Sequence, residues 1–571
     1  MRSNPTLKRG DTAFSILVIA IILAALTVAF IRMASSHFLP CEYECGETLI
    51  AEFDARNVRL LGPRYGFVED LATSPVPDAH PQYYTHNVNL GGLTYIALDA
   101  LGLDFPMKQS VMLLIWALGL FYAYLCVAHF SKSLLCGAII ALLLATDFPF
   151  SHSYSSHALR TWQWLPLFGL PYHAHRFLVG RKLTDVLAIT ALFTIAFGVG
   201  YDFWIIMLAV AGLFFVYVAI AHTEIEIKTL IKSGAVIVGI AFIPFLLRQA
   251  HIILVLGWEY WRVDFVSTIA IKIPFVSQII RVPSIADLDA WYAGHNVMRP
   301  PAAPVTTEGF RNFLRTAQQS LLHVTLPSAG LVTAVTTFFT ALIGLWALLV
   351  MVIHRISGAP RVALDATIDV QGLCIYISCM ILAIMLGVAV TPTVAVLYLL
   401  YNPPLVVAPL FAAKALLIGI SLAAAWRMFV RQRYIIATIF VACASSLFID
   451  HLVVSFSAKK HIKPMDVSWL PEIQARQSAT FAVSYIGQAV AAFTSNWAVH
   501  VGGPGLAHTY FPKILNGQQP LTEMTFSFLE SVTSTRLITH GLITGSTLRW
   551  TDVFICSIRN RSVELITPLH F

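Results

Sequence analysis

Residues 12 to 33 read TAFSILVIAIILAALTVAFIRM, and Arg2, Lys8 and Arg9 stand ahead of them. A run of that length with no acidic residue is long enough to cross a bilayer as a helix, and the basic residues before it place its N-terminal side in the cytoplasm. The run is long for a cleaved signal peptide and shows no clear small-residue cleavage site, so it reads as a retained anchor. Beyond it the chain enters a polar loop from Cys41 to Phe105, containing AEFDARNVRLLG, PRYGFVEDLATSPVPDAHP and QYYTHNVNLGGLTYIALDALGLDFP. Carboxylates, aromatics and a His-Asn pair crowd into this loop, which points to something being bound there.

The rest of the chain supports a membrane reading. Of its 571 residues 57% are hydrophobic and 12% charged, and the mean hydropathy is +0.74, far from the balance of a soluble domain. Further apolar runs lie near 109–129, 134–150, 162–178, 184–200, 203–222, 235–257, 329–353, 371–391, 404–425 and 434–455, giving about eleven spans. In lipid a backbone must satisfy its own hydrogen bonds, so repeated runs of this length select a helix bundle. The expectation is an all-α polytopic membrane protein with a large first outer loop and a small C-terminal extracytoplasmic domain.

Charge tests the alternation. Each stretch assigned to the cytoplasm carries Lys or Arg: Lys132; Arg176, Arg181 and Lys182; Lys228 and Lys232; Arg355 and Arg361; Arg427, Arg431 and Arg433. The outer connections near 201 and 392–403 carry none. The net charge of +7 is therefore a topological signal, and nucleic acid is not expected as a partner. The run at 134–150 is the weak point, because it is short and ends in Asp-Phe-Pro. Three larger segments fall outside: 34–108, 258–328 and the tail from 456. The middle one holds Trp258, Tyr260, Trp261, Trp291 and Tyr292, residues suited to a membrane interface. The predicted division is a transmembrane catalytic domain at 1–455 and an extracytoplasmic domain at 456–571. Of the eight Cys, Cys126, Cys136, Cys374, Cys379 and Cys443 sit in or beside apolar runs as packing residues, and Cys41 and Cys45 could pair in an oxidising compartment.

Asp54 comes soon enough after the first span to return to the membrane surface, where a lipid-borne substrate presents its reactive group. A carboxylate there can serve as a general base, with Glu52, Asp70 and Asp78 as alternatives in the loop. A second group is the outer turn DFPFSHSYSSHALR, with Asp147, His152, His157 and Arg160. Asp147 with His152 and His157 could hold a divalent metal together with Asp54, the two acids being the leading candidates, although the spacing matches no zinc or calcium pattern. Taken singly, the histidines are better read as interfacial hydrogen-bonding residues. The third group is ionisable residues in or beside the spans: Asp202, Arg248 beside Gln249 and His251, Lys414, and Asp450 with His451. Arg248 and Lys414 are placed to meet a phosphate, although Lys414 and Asp450 could equally pair across helices.

With these residues in place the sequence resembles the GT-C superfamily of integral-membrane glycosyltransferases, such as protein O-mannosyltransferases, aminoarabinose transferases and catalytic oligosaccharyltransferase subunits. Phe-Asp-Ala-Arg at 53–56 stands where many members have an Asp-Glu pair, with Ala55 in place of the Glu. His86 opens HNVNLGGL at 86–93, which resembles their His-Pro-Pro stretch leading into an interfacial helix, with Asn87-Val88 in place of the prolines. Asp147 and Arg160 fall where members have a second outer-loop acid and a basic residue. The resemblance implies inverting transfer from a polyprenyl-phosphate sugar to a glycan, lipid or protein acceptor, with Asp54 deprotonating the acceptor. The resemblance adds His86, Asp147 and Arg160 as substrate-binding residues, beside His152, Asp202, Arg248 and Lys414 from the reading of the turn and the spans. The setting the resemblance implies is a bacterial inner membrane, with membrane lipids as further partners. Two alternatives stand beside it. A transporter or flippase would show matched broken helices, at which only Lys414 and Pro403-Pro404 hint. An O-antigen ligase or polymerase would rest on the late loop with Arg262, Arg281 and His295.

Overall fold

The computed structural model describes parts of residues 19–27 and 51–63, then 90–146, 158–180, 182–200, parts of 203–215, most of 227–262, Tyr376, most of 408–448, and five strands between 480 and 569.

The helical part is built from α1 (Leu90–Ala100), α2 (Phe105–Ser131), α3 (Leu134–Thr146), a 3₁₀ turn at Ala158–Gln163, α4 (Trp164–Gly180), α5 (Leu183–Val199), α6 (Ile227–Leu256) and α7 (Ala408–Val430). Helices α2 to α7 each coincide with an apolar run of the sequence. By length and composition, Phe105–Ser131 and Ile231–Leu254 can each cross a membrane, with the shorter apolar helices Leu90–Ala100, Leu134–Ala145 and Leu183–Val199 among the same described residues. The stretch at 86–93 leads into α1, which begins at Leu90. The spans at 329–353 and 371–391 lie largely outside the described residues, so the count of eleven does too.

The corner between α1 and α2 positions the site. Gly102 takes a left-handed conformation at φ 76°, and Leu103 N–H donates to Leu98 O at 3.1 Å, which closes α1. Two residues later Asp104 caps α2, its carboxylate accepting from Met107 N–H at 3.0 Å, with Pro106 in the first turn where its missing N–H costs nothing. The sequence GLDFP thus turns the chain sharply, and α2 starts at Phe105, ahead of the apolar run at 109–129.

Between α2 and α3 the chain reverses at Lys132, held at φ 56°. The two helices then pack as closely as their small residues permit: a Cβ on Gly137 would stand 2.7 Å from the carbonyl oxygen of Tyr124. Close backbone approach through small residues is how helices associate in a bilayer, where apolar burial gives no drive. α7 enters the same seam, with Gly419 against Val127 and Ile140. The core runs through Met112, Trp116, Leu120, Ala123 and Val127 of α2, Trp164, Leu167 and Phe168 of α4, and Leu192, Ala196 and Phe197 of α5.

The all-α expectation fails in the tail. Residues there form a five-stranded sheet in the order β2-β1-β3-β4-β5, from β1 (Thr480–Val483), β2 (Trp497–His500), β3 (Arg536–His540), β4 (Val553–Arg559) and β5 (Ser562–Leu569). β1 pairs in parallel with β2 and β3, whereas β3, β4 and β5 pair antiparallel, with a register shift at Ile555/Cys556. VFICSIR and SVELITPL are rich in β-branched residues and only two residues apart, the spacing of a tight hairpin. A search for apolar runs of membrane length passes over strands this short.

Candidate functional site

The loop behind the first span is helical where the structure describes it, at Ala51, Glu52, Asp54, Ala55, Val58 and Arg59. On a helical path Ala51, Ala55 and Val58 share one face, and the first two are buried. Glu52 and Asp54 flank that stripe on opposite sides, roughly 160° apart at 100° per residue. Arg59 shares Glu52's flank. Both acids are buried, Asp54 completely at 0% exposure and Glu52 at 6%.

Glu52 meets Lys108 in the first turn of α2. Lys108 is 1% exposed, and its ammonium donates to both Glu52 oxygens at 2.9 Å and to Asp99 Oδ1, on the last turn of α1, at 2.7 Å. Those contacts use all three of its protons. Arg59 completes the cluster from the solvent side, donating to Asp99 Oδ1 and Oδ2 at 2.9 and 3.1 Å. Burial pushes the Glu52 carboxyl above its ordinary range, against the pull of Lys108. The neighbouring Tyr95, buried against Phe105, has its phenol held well above its usual range by burial and by the Glu52 charge.

The helix ends make this arrangement more telling. A negative charge at a helix C-terminus and a positive one at an N-terminus are both set against the macrodipole. Asp99 and Lys108 occupy those two disfavoured places. The α1–α2 corner alone gives no reason for them; the grip on Glu52 does.

At the other end of α2 lies a second polar cluster of different make. His129 and His175 are joined by a ring-nitrogen hydrogen bond of 2.9 Å. On α4, His173 lies 2.8 Å from Asp185 of α5 and 3.3 Å from the Tyr122 hydroxyl, and Arg176 stands 3.3 Å from Asp185. Arg176 also donates to the Tyr172 hydroxyl at 2.7 Å. Lys108 and His129 are separated along α2 by about 32 Å at 1.5 Å per residue, close to the thickness of a hydrocarbon core. Two polar clusters thus bracket an apolar length of membrane width.

Of the residues predicted from the sequence, Asp54 is in the loop helix and fully buried. Arg248 is 5% exposed on α6, with its guanidinium 3.0 Å from the His251 ring, next to Gln249, which accepts from the Trp261 indole at 2.8 Å. Lys414 lies on α7 and Arg160 in the 3₁₀ turn, but their side chains are outside the described residues, as are His86, Asp147, His152 and Asp202 altogether. Among the described residues no three His, Cys, Asp or Glu come together as a metal site. Lys108 and Asp99 were not among the residues expected from the sequence. The signal for both was charge on the wrong end of a helix, visible once GLDFP is read as a helix–helix corner.

No protein-family model matches the chain, and no curated protein sequence does. Solved structures do. The apo oligosaccharyltransferase of Archaeoglobus fulgidus superposes with a TM-score of 0.50 at 10% identity, over 92% of this chain and 69% of that one. The chain shares that fold. The archaeal oligosaccharyltransferase AglB from the same organism, in complex with an inhibitory peptide and a dolichol-phosphate, gives 0.47 at 10% identity over 92% and 69%. ArnT from Cupriavidus metallidurans in the apo state gives 0.40 at 12% identity over 93% and 94%.

Proposed function

We propose that this protein is an inverting integral-membrane glycosyltransferase that moves a sugar from a polyprenyl-phosphate donor to an acceptor at the outer face of the membrane. The observation that supports the reading is Asp54, fully buried on a helix that follows the first apolar run and is tied through Glu52 to Lys108 at the start of α2, within a fold shared with an oligosaccharyltransferase.

In the proposed step the Asp54 carboxylate takes the proton of the acceptor's nucleophilic group. That group attacks the anomeric carbon from the face opposite the phosphate, and the bond from that carbon to the phosphate oxygen breaks. The polyprenyl phosphate leaves with the bonding pair. Arg248 supplies a guanidinium fork suited to the phosphate, with Lys414, Arg160, Asp147, His152, Asp202 and His86 as further substrate contacts. A divalent ion, if used, would be held by Asp54 with Asp147. Because Asp54 has no solvent exposure, the acceptor reaches it only from within the fold or by displacing its cover. The seating of the loop helix therefore belongs to the mechanism.

Residues 1–455 form the catalytic domain and 456–571 an extracytoplasmic domain, with the N-terminus in the cytoplasm of a bacterial cell and the whole seated in the inner membrane. Transfer from synthetic polyprenyl-phosphate sugars by the full chain in lipid nanodiscs tests the reading. Acceptor-dependent release of polyprenyl phosphate supports it. Donor translocation across vesicles without release would replace it with a flippase.

A further inference from the structure

We propose that Lys108 is a positioning residue for Asp54: its ammonium holds the loop helix onto α2 through Glu52 and sets where the catalytic carboxylate stands. The inference rests on the reading of Asp54 as the base.

Geometry carries it. All three Lys108 protons are committed, two to Glu52 and one to Asp99, and the side chain is buried, so it does not offer itself to a phosphate. Among the polar contacts described for residues 51–59, those of Glu52 and Arg59 reach Lys108 and Asp99. Asp54 lies on the flank opposite Glu52, one half-turn away on the same helix. A rotation of that helix released by loss of the Glu52–Lys108 contact therefore moves Asp54 directly. The cost accepted to keep the contact is legible as well, since Asp99 and Lys108 each oppose their helix dipole. A pair arranged merely to stabilise the corner would have the two charges exchanged.

A misplacement of about 1 Å can cost about 10²-fold in rate, and the expected effect of Lys108→Met is a fall of that order in kcat, with KM for the donor changed less than about threefold. Glu52→Gln keeps a neutral acceptor for Lys108 and is expected to lose less; it serves if Lys108→Met does not fold. In an Asp54→Asn background the loss from either variant disappears, because two residues acting through one group are not additive. If the two losses multiply instead, Lys108 does not act through Asp54. A readout without turnover runs beside it, on the full chain in nanodiscs. Alkylation of Asp54→Cys by a small maleimide, counted above the parent chain, is expected to be slow with Lys108 present and at least about tenfold faster with Lys108→Met. Equal rates overturn the positioning role. Should the wild-type chain transfer no sugar, the function reading falls, and the alkylation rates still decide whether Lys108 holds position 54.

Discussion

The two polar clusters at the ends of α2 differ in what they join. The one at its C-terminal end links α2, α4 and α5 through His129, His173, His175, Tyr172, Arg176 and Asp185, by hydrogen bonds among imidazole, phenol, guanidinium and carboxylate groups. The one at its N-terminal end links a loop helix to two helices across 56 and 40 residues of sequence, and its centre is a lysine sealed between two carboxylates. Bundle helices already held by apolar packing need few buried charges. A polar loop that must sit in one place against a membrane helix has little apolar area to use, and a saturated ammonium fixes its register instead. Buried ion pairs are weak evidence for stability but are well attested as devices for specificity.

Breaking each cluster sharpens this contrast. Lys108→Met leaves Glu52 and Asp99 with less compensation in a buried place, and the expected loss is about 3–5 kcal/mol in detergent-based unfolding. Asp185→Asn, which weakens the cluster at the C-terminal end of α2 while its helices stay packed, is expected to cost less, about 1–3 kcal/mol, and to leave transfer per folded molecule unchanged. A larger loss at Asp185 than at Lys108 would reverse the comparison.

Acid titration gives a signed test. Because the folded Glu52 carboxyl is raised above its ordinary 4.5, its neutral form is favoured by the fold. That contribution is complete below 4.5 and is lost as pH rises through the raised folded value. Wild type should therefore lose stability relative to Glu52→Gln as pH climbs above 4.5, and the difference should flatten once Glu52 is ionised. A wild type that gains on Glu52→Gln over this window would show that Lys108 outweighs burial. The smallest effect is expected at Arg59, which is 57% exposed: Arg59→Ala should change stability by less than about 1 kcal/mol, and less again in high salt.

The helices were legible because each carries its own apolar run, and α1 because a motif announced it. Lys108 was not, since a run counted from its first apolar residues puts it in the loop, and only Asp104, Pro106 and Gly102 read together move the helix start back to Phe105. Glu52 was named as an acid of the loop, but its partner lies 56 residues away, and no local pattern encodes a pairing of that range. The tail's strands were missed for a different reason: a reading tuned to membrane-length runs has no sensitivity to strands of four to eight residues. Arg248 was found by its cost, as an arginine within an apolar helix, and the structure keeps it buried there.

That Asp54 is the base is tested most directly by the transfer rate of Asp54→Asn in nanodiscs with a saturating polyprenyl-phosphate donor. The side chain keeps its shape and loses its basicity. The expected result is a folded, donor-binding protein whose rate has fallen by about 10²- to 10⁴-fold. Near-normal transfer by Asp54→Asn, with an Asp70 or Asp147 variant inactive instead, would contradict it.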